Sequence, residues 1–171
     1  MLDISLYFIF LLGLSSYYIG KNRAKKNINL ITETGGLESH YGMYLVIWTA
    51  LPALIFYITW SIISNYLIKE ATLDSIPSDL LPKNLSMQKL FLDSIIVVAK
   101  GGNSLSKVPE ISVAFYQNFA YYSTLGKSIS TISISLISFF IFYRKIDSTL
   151  RAKNFLERII LVFLFISSII A

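Results

Sequence analysis

From Tyr41 to Ile68 the chain runs for 28 residues without a charge. Twelve of the residues between Met43 and Ile68 are Leu, Ile, Val or Phe. Each favours the centre of a bilayer by about 0.3 to 0.6 kcal/mol, which outweighs the scattered Thr, Ser and Asn. A helix of this length exceeds the roughly 30 Å of a hydrocarbon core at about 1.5 Å per residue. A single strand is excluded, because lipid offers its backbone groups no partner. The run therefore specifies a membrane-spanning helix. Pro52, near its middle, deprives the Trp48 carbonyl of a helical donor and predicts a kink. A packing kink is preferred here to a gating hinge, since membrane helices tolerate proline.

Two further runs meet the same test. Ile4 to Ile19 is uncharged over sixteen residues and is followed, after Gly20, by Lys21, Arg23, Lys25 and Lys26. A cleaved signal peptide carries its positive charge before the apolar run, whereas here Asp3 precedes and the basic cluster follows, so an uncleaved helix is expected. The third span covers about 125–143. Its start, Ser-Ile-Ser-Thr-Ile-Ser-Ile-Ser from Ser128, alternates with period two, but in lipid it must be helical. Ser128, Thr131, Ser135 and Ser138 then form one small, weakly polar stripe suited to close contact with another helix.

A fourth apolar run, Ile159 to Ala171, holds thirteen residues, about 20 Å of helix where roughly 30 Å is needed. It reads as the start of a fourth span, and the natural polypeptide is expected to continue past Ala171. The fold class that follows is all-α: a polytopic membrane protein with three complete spans (about 4–20, 41–68 and 125–143). A short helical extracytoplasmic segment, 69–124, joins the second and third. Composition agrees, with 15% charged and 54% apolar residues against about 25% and about 45 to 50% in soluble domains.

Lys and Arg collect in cytoplasmic loops. Residues 21–40 carry four and residues 144–158 carry five, whereas the 59 residues from Lys69 to Lys127 carry only six. Both short connections are therefore expected in the cytoplasm and the long one outside, with an external N-terminus. In the long segment Pro77 and Pro82 break the chain, Ser86 is a candidate helix cap, and Met87 to Ala99 reads as a helix ended by Lys100 and Gly101-Gly102. Lys89, Asp93 and Lys100 share its polar face, leaving Leu90, Phe91, Ile95 and Val98 to pack. Pro109 suits the first residue of a second helix that continues into the third span.

No catalytic, cofactor-binding or metal-binding residue is assigned. The chain has no cysteine and one histidine, which removes disulfides, thiolate zinc sites, cysteine nucleophiles and histidine-rich metal centres. His40, near Glu38, reads as a capping or interfacial group at the mouth of a helix. Gly35-Gly36 and Gly101-Gly102 lack the strand, later glycine and lysine of a phosphate-binding loop, and read as turns. Asp93, with Lys89 four residues earlier, reads as part of a solvated face rather than as an ion-coupling carboxylate. Tyr116, Tyr121 and Tyr122 read as an interfacial belt. The net charge of +5 points to the bilayer and its anionic surface, and no nucleic acid is expected as a partner.

Three stretches carry a resemblance: Tyr17-Tyr-Ile-Gly-Lys-Asn-Arg-Ala24, His40-Tyr-Gly-Met-Tyr-Leu-Val-Ile-Trp-Thr-Ala-Leu-Pro-Ala-Leu-Ile55, and Arg151-Ala-Lys-Asn-Phe-Leu-Glu-Arg-Ile-Ile160. In order and spacing they resemble the N-terminal region of the long PstC-type permease subunit of bacterial phosphate ABC transporters. The resemblance implies a non-catalytic subunit of an inner-membrane importer. Its partners would be a second permease subunit, an ATPase subunit dimer and a periplasmic phosphate-binding protein. It also implies a division into an N-terminal transmembrane extension, 1–150, and the start of the permease core, 151–171, with the partial fourth span at 159–171. The family's ATPase-docking loop has no counterpart in these residues. The alternative is a membrane sensor or scaffold, with residues 69–127 as an extracytoplasmic module between two helices.

Overall fold

The computed structural model describes residues 4–26, 37–77, 80–82, 84–102, 108–146 and 150–170. Asp3, the Gly35-Gly36 pair, Asp79, Lys83, Lys107 and Ala171 lie outside the described residues. Among the described residues there are five α-helices and no strand: α1 (Ile4–Lys26), α2 (Glu38–Asp74), α3 (Leu85–Ala99), α4 (Glu110–Arg144) and α5 (Ala152–Ile170). Three of them, α1, α2 and α4, are long and apolar enough to cross a membrane. The fold is all-helical, with the three spans expected from the uncharged runs.

The helices outlast those runs at their ends, for local reasons. The α1 helix continues through Arg23, Lys25 and Lys26, cations that favour the negative end of a helix dipole. Glu38 in the first turn of α2 and Glu110 in that of α4 favour the positive end. The α2 helix passes through Pro52 without interruption over its 37 residues. Pro109 stands just before α4 rather than inside it. Its carbonyl accepts from Ser112 N at 3.1 Å and Val113 N at 3.2 Å, which starts the helix. From there α4 runs unbroken for 35 residues, so the expected external helix and third span are one element.

Contacts divide the chain into two compact units, residues 1–56 with 128–171, and residues 57–127. In the second, α3 begins at Leu85, two residues before the expected start. Asn84 is its cap, with the side-chain oxygen accepting from Ser86 N at 3.1 Å. The Asn amide carbonyl reaches the second helical N–H, which removes the need for Ser86 in that role. Of the residues expected to pack, Ile95 is buried and Phe91 and Val98 are half-buried, while Leu90 is 68% exposed. Leu92 is buried beside Ile95. The helix ends at Lys100 with Gly101 at φ +85°, Gly101 N donating to Val98 O and Gly102 N to Val97 O, both 2.9 Å. These two bonds satisfy terminal carbonyls and require the left-handed residue that glycine supplies. Gln117 of α4 donates its side-chain N–H to Ala99 O at 2.9 Å, fastening α3 to α4. Ile68, Thr72, Ile76 and Ser112 complete the interior of this unit.

Candidate functional site

In the first unit, α1 meets α2 along a line of mostly small residues. Ser5, Ile9, Gly13, Ser16, Gly20 and Ala24 are the buried residues of α1, spaced by three or four, so that they fall on one face. Small side chains let helix backbones approach, and in lipid that close packing replaces the hydrophobic drive available in water. The approach is tightest at Gly20, where an added Cβ would lie 2.8 Å from Tyr41 O and 3.1 Å from the Gly42 Cα. Gly42 is the reciprocal position, since its Cβ would lie 2.8 Å from both the Tyr17 ring and the Tyr17 carbonyl. Gly13 is looser, with Val46 Cγ1 4.0 Å away.

Deeper in the same unit a polar node joins three helices. Ser16 Oγ donates to Leu12 O at 2.6 Å and lies 3.4 Å from Thr49 Oγ1, and Ser135 Oγ donates to Thr49 O at 3.2 Å. Thr49 and Ser135 are fully buried, as is Thr131 one turn earlier on α4. The serine stripe expected to face another helix does so at Thr131 and Ser135.

The basic ends of the helices converge on one cluster. Ala24, Tyr41, Tyr44, Leu45, Ile146 and Ala152 are buried together, with Trp48, Phe142 and Phe155 packed against them. The Trp48 ring stacks on Phe142 at 4.1 Å between centroids and 10° between planes, and on Phe155 at 5.6 Å and 26°. Tyr44 meets Phe155 edge-on at 5.0 Å. Two side chains hold the ends of the connection between α4 and α5. Arg23 Nε donates to Ile146 O at 3.2 Å with its guanidinium 4.1 Å from the centroid of the Tyr143 ring, and the Tyr41 hydroxyl donates to Leu150 O at 3.1 Å. The three permease-like stretches, beginning at Tyr17, His40 and Arg151, are thus brought into contact through Gly20–Gly42, Tyr44–Phe155 and Trp48–Phe155.

Beyond this cluster α5 turns outward. Every described side chain from Ile160 to Ile169 is exposed, most of them large and apolar. A groove of about 480 Å³ between α2 and α5 is lined by Trp48, Leu51, Phe155, Arg158 and Phe163 among others, and one of about 460 Å³ between α1 and α2 by Leu6, Phe10, Met43 and Val46 among others. Such surfaces suit lipid tails or further membrane helices.

The residues weighed for chemistry are dispersed. His40 caps α2: Leu37 N donates to its Nδ1 at 3.1 Å while His40 N donates to Leu37 O at 3.0 Å. That reciprocal pairing satisfies two groups left open at a helix start. Asp93 and Lys89 are exposed on α3. Tyr121 and Tyr122 are exposed neighbours on α4, their rings 5.7 Å apart. Among the described residues no group of three His, Asp or Glu side chains stands where it could hold a metal ion. Sequence reasoning missed the small face of α1, although Gly13, Ser16, Gly20 and Ala24 were legible at intervals of three and four. It also read Arg23 only as a topological charge, and nothing local to Arg23 reveals that it reaches Ile146, 123 residues later.

The family model described as a phosphate ATP-binding cassette transporter matches residues 6–171. No curated protein and no solved structure matches the chain.

Proposed function

Because the chain belongs to the phosphate ATP-binding cassette transporter family, we propose that it is the N-terminal membrane portion of a phosphate-importer permease subunit. It is non-catalytic and contributes helices to the transmembrane part of an ATP-driven uptake complex. The observation that carries this reading is the convergence of the three permease-like stretches on one cluster, with α5 set on α2 by Tyr44 and Trp48. In this reading residues 1–150 are the transmembrane extension and 151–171 open the permease core. The exposed apolar face of α5 and the groove beside Trp48 receive further membrane helices. ATP binding and hydrolysis belong to an ATPase subunit dimer, substrate delivery to a periplasmic phosphate-binding protein, and the rest of the pathway to the second permease subunit and helices outside these residues.

The setting is the bacterial inner membrane. The count of Lys and Arg puts the N-terminus and residues 69–124 in the periplasm and the basic cluster in the cytoplasm. Cysteine substitution tests this directly, because the chain has no cysteine of its own. In intact cells an impermeant thiol reagent should label Asn84→Cys and leave Asn154→Cys unlabelled until the membrane is opened; the reverse pattern would invert the topology. Reconstituted alone in liposomes with ATP, the chain should give no saturable uptake of labelled phosphate. Uptake by the isolated chain would contradict the division of labour proposed. The family match favours this reading over a sensor or scaffold.

A further inference from the structure

At the basic end of the first unit a cleft of about 420 Å³ opens between α1 and α4, lined by Ile19, Asn22, Arg23, Lys26 and Tyr143. The α1 residues stand at i, i+3, i+4 and i+7, which is a single helical face. The uncharged part of α1 ends within this face, at Ile19 and Gly20. A membrane containing α1 therefore has its polar boundary at this level.

We propose that this cleft binds the phosphate group of an anionic phospholipid. The cations are set for it in different ways. Arg23 is held by its Nε on Ile146 O and by its plane against Tyr143. That fixes the orientation of the guanidinium, whose two Nη groups are the nitrogens that pair with phosphate oxygens. Lys26, one turn further and exposed, adds a mobile charge, and Asn22 between them adds an amide donor. On the hydrocarbon side the wall is apolar: Ile19 is 39% exposed, a surface along which an acyl chain lies. The same phosphate chemistry would admit free inorganic phosphate. The apolar wall directly beneath the cations selects the lipid, since a free anion makes no use of it. Basic pockets between membrane helices are suited to anionic headgroups on the same physical grounds. The site depends neither on the permease reading nor on which side of the membrane the cleft faces.

The test uses the purified chain in detergent, with native mass spectrometry of retained phosphatidylglycerol against phosphatidylcholine. Phosphatidylglycerol should be retained preferentially, and Lys26→Gln should weaken its retention about fivefold, as expected for removal of one surface cation. Lys25→Gln removes the same charge from the neighbouring position, outside the cleft, and should leave retention within about twofold of the unmodified chain. Since Arg23 also supports Ile146, the decision rests on the two lysines. Equal losses from Lys25→Gln and Lys26→Gln would mean a diffuse positive field and would overturn the site, as would retention of both lipids alike. Displacement of the lipid by inorganic phosphate, but not by chloride at matched ionic strength, would assign the cleft to the free anion and overturn the lipid assignment.

Discussion

Gly20→Leu should lower the stability of the first unit by about 1 to 3 kcal/mol, the range for forcing extra atoms into a packed interior. The side chain cannot escape by a change of rotamer, because its Cβ already falls 2.8 Å from the Tyr41 carbonyl and 3.2 Å from the Tyr41 carbonyl carbon. Those atoms are backbone, so relief requires α1 and α2 to separate. Separation lengthens the 3.4 Å contact from Ser16 to Thr49 and shifts Arg23 away from Ile146, which adds to the loss. Helix propensity works the other way, since leucine is favoured over glycine by nearly 1 kcal/mol in a helix, so a net loss reports the interface itself. Gly13→Leu makes the comparison, its nearest neighbour being the Val46 Cγ1 methyl at 4.0 Å, an ordinary van der Waals distance. Unfolding in mixed micelles, followed by tryptophan fluorescence, should order the variants with Gly20→Leu well below the unmodified chain and Gly13→Leu nearer to it. Equal stability of the two would refute close α1–α2 packing at Gly20.

Trp48→Ala should have the other large effect. Large-to-small changes of this kind cost about 3 to 5 kcal/mol in water-soluble cores. Within a bilayer lipid rather than water is the alternative contact, so the lower end, about 3 kcal/mol, is expected. The indole lies on Phe142 of α4 and Phe155 of α5 at once. Its removal leaves the start of α5 attached through Tyr44, Tyr41 and Ala152. Protease cleavage near Arg158 should therefore accelerate in Trp48→Ala membranes. Trp48→Phe should recover most of the difference, because an aromatic plane of nearly the same reach restores the stack. Trp60→Ala, a tryptophan of the other unit, should leave cleavage at Arg158 unchanged. A Trp48→Ala chain cleaved at the original rate would show that α5 is held by something else.

The spans were legible because charge is so costly in lipid that a membrane helix must do without it, and a run of sixteen or more uncharged residues is the trace this leaves. The helix ends were not, since an α-helix extends into water wherever local residues permit, as at Lys26, Asp74 and Arg144. The serine stripe of α4 could be read from its spacing, while its partner Thr49 could not, because one hydroxyl in an apolar run carries no address. The same limit applied to Arg23. A cation after a span always satisfies the topological rule, which hides any second role as a clasp on a distant carbonyl. His40 was legible as a capping group for the opposite reason, since its partner Leu37 is only three residues away. The three permease-like stretches gave the family, and the structure gives a physical reason for their spacing: each of α1, α2 and α5 contributes residues from its stretch to one buried cluster.

Whether this chain works inside an ATP-driven phosphate uptake complex is tested most directly by native mass spectrometry of the affinity-purified protein from phosphate-starved cells. The expected result is a particle in which the polypeptide carrying these residues is joined by one further permease subunit and an ATPase dimer, with labelled phosphate uptake lost when that particle fails to form in Gly20→Leu cells. Recovery of the polypeptide with a signalling protein, and with no ATPase subunit, from cells that take up phosphate normally would contradict it.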